Sequence, residues 1–199
     1  HAMRGYNDDI RVVPNRLDSQ RWSSLKVMRN SGKKPRVGWA GSVSHSGDLE
    51  LIVDVVKELA DEVDWVFLGM CPEFLRPYVR DFHPGVPFDQ YPAKLASLGL
   101  DLALAPLELN AFNESKSNLK LLEYGVLGYP VICTDITPYQ DNLPVLRLKN
   151  RYRDWVVAIR DCLADREALG RKGAELRQTV LNRWMLDDHC AEWLAAWLP

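Results

Sequence analysis

Long apolar runs are missing from this sequence: no stretch of its 199 residues approaches the roughly 20 apolar residues that span a bilayer. A transmembrane segment is therefore not expected. An excess of either charge is missing too. The chain carries 25 Lys and Arg against 27 Asp and Glu, a formal net charge of −2. A nucleic-acid binder that relies on bulk positive charge is excluded. Cysteine is scarce. Cys71, Cys133, Cys162 and Cys190 lie far apart, with no C-x-x-C pair and no His at ligand spacing. That excludes a disulfide framework or a zinc finger and suits reduced thiols in a cytoplasmic protein. There is no D-x-D pair to chelate a metal on a diphosphate, no H-E-x-x-H and no G-x-S-x-G elbow. Internal repeats and low-complexity segments are absent as well.

What remains is a chain with 47% apolar residues. At this size it can bury roughly 70% of its extended surface, so a disordered protein is excluded. His1-Ala2-Met3 reads as a cloning remnant. Residues 4–34 read as an interdomain lead-in, and 35–199 as one domain. Short apolar runs at 36–40, 65–69, 101–106 and 130–134, bounded by Gly, Pro or Asp, have the look of buried parallel strands, with a further strand at 145–148. Helical periodicity fills the gaps. Leu49, Ile52, Val53, Val56 and Leu59 form one stripe, Leu119, Leu122 and Val126 a second, and Tyr152, Trp155, Val156, Ile159 and Leu163 a third. Strands alternating with helices predict an α/β fold with a Rossmann-like doubly wound parallel sheet. From Leu176 the chain is expected to run as one helix to its end. Trp193 and Trp197 share a face there, for core packing or for lying across a neighbouring domain.

Ligands of open α/β sheets bind at the carboxyl ends of strands. Two loops qualify. The first, Gly38-Trp39-Ala40-Gly41-Ser42-Val43-Ser44-His45-Ser46-Gly47, leads into a helix expected near Asp48 and suits a phosphate, with His45 either a surface residue or a ligand. In the second, Ser115-Lys116-Ser117-Asn118 is expected to open a helix. Its Lys116, Lys120 and Glu123 follow at four and three and share one face. The face is either an anion site with a carboxylate placed for ribose hydroxyls, or an ordinary solvated Lys–Glu face.

The second loop and its helix, Phe112-Asn113-Glu114-Ser115-Lys116-Ser117-Asn118-Leu119-Lys120-Leu121-Leu122-Glu123-Tyr124-Gly125, and Gly128-Tyr129-Pro130-Val131-Ile132 after it, resemble the nucleotide-sugar site of GT-B glycosyltransferases. The likeness is greatest to the family 4 retaining enzymes. Arg11-Val12-Val13-Pro14-Asn15-Arg16-Leu17-Asp18 is similar to the stretch that opens the C-terminal half in that family. Val37-Gly38-Trp39-Ala40-Gly41-Ser42 is similar to its first strand and loop.

The resemblance implies the C-terminal, donor-binding half of a retaining glycosyltransferase that serves polysaccharide or O-antigen-type synthesis. Glu123 would match the second glutamate of the E-x7-E motif and hold the donor ribose. The amides of Lys116, Ser117 and Asn118 would cradle the diphosphate or sugar. Phe88 and Asp89 would lie at the nucleobase, and Gly41, Ser42 and His45 near the phosphates. Ser115 stands where the first glutamate belongs, with Glu114 one position off, and a Ser/His loop replaces the family's Arg and Lys. Lys116 and Lys120 would supply the missing charge. No catalytic residue is assigned.

The implied partners are a donor sugar nucleotide of the UDP or GDP type, an N-terminal acceptor-binding domain and a glycan or lipid-linked acceptor. Neither a metal nor another cofactor is implied. The place is the cytoplasm, with the full protein at the inner face of the membrane where its acceptor is lipid-linked. A nucleotide-sugar epimerase half shares this plan, with Glu114 and His45 as its candidate cleft groups. A non-catalytic α/β scaffold or interaction module is the alternative from another class.

Overall fold

A computed structural model describes residues 5–42 and 46–198. Six parallel strands run through it: β1 (Arg36–Gly41), β2 (Asp64–Gly69), β3 (Asp81–Pro84), β4 (Leu102–Ala105), β5 (Val131–Thr134) and β6 (Leu146–Leu148). Their order is β3-β2-β1-β4-β5-β6. Val37 is paired with Trp65 on one side and Leu102 on the other, so β1 is central and the chain reverses its direction of winding beside it. That switch point lies between the carboxyl ends of β1 and β4.

Period-two alternation sends successive side chains to two cores. Val37, Trp39, Trp65 and Phe67 join one layer with Leu49, Ile52, Val56, Leu59, Trp155 and Ile159, all at most 1% exposed. This layer is covered by α2 (Ser46–Glu50), α3 (Val53–Glu58) and α7 (Tyr152–Ala164). Ala40, Val66 and Leu68 point the other way, toward Leu95, Leu121, Leu122, Tyr124, Leu176 and Val180. Those residues belong to α4 (Tyr91–Ala96), α6 (Leu119–Val126) and α8 (Arg166–Arg183). Fully burying each such Leu, Ile or Val contributes about 1.5–3 kcal/mol. Gly125 lets α6 touch α8, since a Cβ there would stand 2.9 Å from both Leu176 Cγ and Val180 Cγ2.

Several details differ from the sequence reading. The stripe at 49–59 is two short helices broken at Ile52, and Val55 is buried where Val53 is half-exposed. The edge strand β3 was not expected. It carries Asp, His and Pro, and only its β2 side is paired, which is where a strand tolerates proline. Leu119 is half-exposed, whereas Leu121, Leu122, Tyr124 and Val126 bury most of α6.

The expected long C-terminal helix is α8, though the stretch from Leu176 does not stay helical to the end of the chain. After Arg183 the chain opens so that Leu17 N donates to Trp184 O (2.9 Å) and Leu186 N to Leu17 O (2.8 Å), with Met185 buried between them. Helix α9 (Cys190–Trp197) follows. Trp197 is 80% exposed and does not pack in a core. In the lead-in, α1 (Ser19–Trp22) is capped by Asp18, and Leu17 and Trp22 are buried in the second layer. All four cysteines are unpaired. Among the described residues, no helix is long and apolar enough to cross a membrane.

Candidate functional site

A cavity of about 560 Å³ opens at the switch point. Its floor comes from the ends of β1 and β2. Gly69 has φ +96°, and a Cβ there would collide with the Gly41 carbonyl, so the two strand ends meet through glycine. Gly85 and Val86, just past β3, continue this wall toward Tyr91 at the start of α4.

The opposite wall is built after β4. Leu107 N donates to the buried Thr134 hydroxyl (2.8 Å), which ties the loop to β5. Asn110 then caps α5 (Ala111–Glu114), its Oδ1 accepting from Asn113 N at 2.8 Å. This extra helix places Lys116 in the turn between α5 and α6, not in the helix that the spacing suggests. Lys116 Nζ lies 3.9 Å from Asp48 Oδ2 and 5.0 Å over the Phe112 ring. Asp48 is 3% exposed and also accepts from Glu108 N (2.8 Å) and Asn113 Nδ2 (3.1 Å). The loops after β1 and β4 are thereby joined through a buried carboxylate.

Lys120 rises from the first turn of α6. Its ammonium donates to Ala40 O and lies 5.0 Å over the Trp39 ring. Gly41 leaves room for it, since a Cβ there would be 3.2 Å from Nζ. One turn on, Glu123 Oε2 accepts from the Tyr91 hydroxyl at 3.1 Å. Burial pushes the Lys120 ammonium below the ordinary lysine range and the Glu123 carboxyl above the ordinary carboxylate range. An incoming anion would compensate the first, and hydroxyl donors the second.

Of the residues singled out from sequence, Gly41, Ser42, Lys116, Ser117, Lys120 and Glu123 line this cavity. Asn118 is buried and turns away, donating to Asp141 Oδ2 at 2.6 Å, while Asn15 Nδ2 donates to Ser117 Oγ at 2.9 Å. Glu114 and Ser115 are exposed and outside the lining. Phe88 is 77% exposed with Arg21 stacked on it, Asp89 is exposed, and neither lines the cavity. His45 lies outside the described residues. Tyr91, Gly69, Gly85 and Tyr139 also line the cavity and carry no local sequence signal, although the ends of adjacent strands are where such glycines belong. Among the described residues, no cluster of three or more His, Cys, Asp or Glu is placed to hold a metal ion.

Six parallel strands wound in both directions from a central switch point, with helices on both faces, define a Rossmann-like α/β unit. Solved structures give that unit its place. The chain superimposes on sucrose-phosphate synthase from Thermosynechococcus elongatus over 94% of its length, with TM-score 0.64 and 16% identity. It matches S. aureus TarM, in complex with fondaparinux, alpha-GlcNAc-glycerol and UDP, over 88% (TM-score 0.62, 15% identity). Anabaena HepE, in complex with UDP and glucose, is matched over 81% (TM-score 0.60, 14% identity). The chain spans only 52%, 38% and 48% of those three structures respectively. The fold is thus that of one Rossmann-like half of a GT-B glycosyltransferase. No protein-family model matches the chain, and no curated protein matches its sequence.

Proposed function

We propose that the chain is the donor-binding half of a retaining GT-B glycosyltransferase, which transfers a sugar from a nucleoside diphosphate to a glycan or lipid-linked acceptor. The observation that carries this reading is the convergence of Lys116, Lys120 and Glu123 in one cavity beside β1. Lys120 and Lys116 offset the charge of the diphosphate, in the ground state and as it departs. The Ser42 and Ser117 hydroxyls and the glycine floor bring polar groups and bare backbone close to it. Glu123, oriented by Tyr91, accepts from the ribose hydroxyls. The acceptor is held by a further, N-terminal domain, so this chain alone binds donor without turnover. The resemblance favours cytoplasmic synthesis of a polysaccharide, against the inner membrane face where the acceptor is lipid-linked, with no metal required.

The lining favours this over an epimerase half. Glu123 is its one carboxylate among the described residues, and Glu114 is exposed and outside the lining. Calorimetric titration with UDP, GDP and ADP tests the reading. At least one should bind, and Lys120→Ala should abolish it. Absence of binding to all three at millimolar ligand would overturn the proposal.

A further inference from the structure

A second cavity, of about 450 Å³, lies at the other end of the sheet. It is lined by Arg29, Arg166 and Arg177 together with Asn30, Asp101 and Gly128. Asp101 immediately precedes β4, and Gly128 precedes β5. Asp101 N donates to Arg36 O at the start of β1, and the lining of the first cavity begins four residues along at Ala40 on β1 and six along at Leu107 past β4, so roughly 13–20 Å of strand separates the two.

Three guanidiniums here face one carboxylate, and that carboxylate is already engaged. Asp101 Oδ2 accepts from Asn30 Nδ2 (2.6 Å) and Arg36 N (2.8 Å), and Oδ1 from Arg166 Nη2 (2.8 Å). Arg29 and Arg177 are in no ion pair among the described residues. Arg29 reaches only the carbonyls at the end of α6, Leu127 O at 3.4 Å and Gly128 O at 3.5 Å, and Arg177 reaches Ser23 O at 3.5 Å. All three contacts are longer than a well-formed N–H···O bond, roughly 2.7–3.2 Å. Gly128, at φ +70°, lets the two side chains converge. A Cβ there would stand 3.1 Å from Arg29 Nη2 and 3.7 Å from Arg177 Cδ.

We propose that this cavity binds a phosphate group, either free or carried on a lipid headgroup. Three guanidinium forks offer more donors than the two oxygens of a carboxylate accept, whereas a phosphate presents three or four oxygens. The cavity has room for the moiety that carries the phosphate. Exposed Lys26, Lys33 and Lys34 lie on the same 26–34 segment and add to the positive field. Met28, 57% exposed among them, would meet acyl chains if the source is a lipid.

The whole chain is titrated with inorganic diphosphate and, separately, sedimented with phosphatidylcholine vesicles with and without phosphatidylglycerol. Wild type, Lys120→Ala, the Arg29→Gln/Arg177→Gln double variant and Arg177→Gln alone are compared. The single variant guards against a folding defect in the double one. Diphosphate binding that survives Lys120→Ala but weakens about tenfold or more in the double variant identifies a free-phosphate site. Phosphatidylglycerol-dependent sedimentation lost in the double variant and reduced in the single one identifies a headgroup site. The inference is overturned if neither probe binds wild type outside the Lys120 cavity, or if both arginine variants bind as wild type does. Loss of the Lys120-dependent component alone bears on the donor reading and leaves this site untouched.

Discussion

The Tyr91 hydroxyl donates to Glu123 Oε2 at 3.1 Å and so joins α4 to α6 across the cavity. These residues are 32 positions apart, and nothing in either segment alone announces the pair. It orients the carboxylate and supplies a donor where burial disfavours its charge.

Removing that donor should be visible in the titration of Glu123. Burial holds its carboxyl above the ordinary range, and the Tyr91 bond pulls it partway back. In Tyr91→Phe the midpoint should climb further, as read by carboxyl-carbon NMR. The linkage sign follows. A carboxyl with a raised folded pKa binds more protons folded than unfolded, so stability falls as pH rises from the ordinary carboxylate value through the folded one. The fall should be larger in the variant. An unchanged midpoint would show that Tyr91 does not hold the group.

Glu123→Gln separates ribose recognition from phosphate recognition. Binding of a nucleoside diphosphate should weaken about tenfold or more, the loss typical of a hydrogen bond to a charged group, while inorganic diphosphate binds as well or better. Equal losses for both ligands in calorimetry would remove Glu123 from the ribose.

The pH dependence of diphosphate binding should report Lys120. The ligand requires the ammonium, and burial makes the free protein release that proton below the ordinary lysine value, roughly pH 10.4. Affinity for inorganic diphosphate should therefore hold at lower pH. It should then fall by up to about tenfold per pH unit once pH passes the lowered pKa. Using Glu123→Gln as the background removes the neighbouring titration. A flat profile up to the ordinary lysine range would place the ligand elsewhere.

Gly69→Ala tests the cavity floor. Positive φ and the facing Gly41 carbonyl both oppose a side chain, and the strain of the conformation alone costs about 1–3 kcal/mol. Chemical denaturation should show a loss of at least that order, together with weaker nucleotide binding. Wild-type stability would mean that the close approach of β1 and β2 is not needed.

Five of the six strands were legible, β1, β2, β4 and β5 because burial on both faces leaves unbroken apolar runs such as Trp65-Val66-Phe67-Leu68, and β6 from the short run at 145–148. The edge strand β3 was not, since three of its residues are half-buried and its last, Pro84, is exposed. Lys120 and Glu123 were legible from their spacing on α6. The position of Lys116 was not, because it depends on Asn110 capping a four-residue helix that carries no periodicity. Gly69, Gly85 and Tyr91 join the site only once β2 lies beside β1 and β3 beside β2, which is tertiary information. The helix break at Trp184 likewise depends on Leu17, more than 160 positions away, offering its backbone in exchange.

That exchange has a mechanical side. Leu17 and Met185 run parallel, so tension between the two ends of the chain would load their hydrogen bonds in shear rather than peel them apart. Asn15, two residues from this clasp, holds Ser117 in the cavity wall. A pull from the N-terminal side would therefore reach the ligand cavity through Asn15 before it disturbed a strand of the sheet.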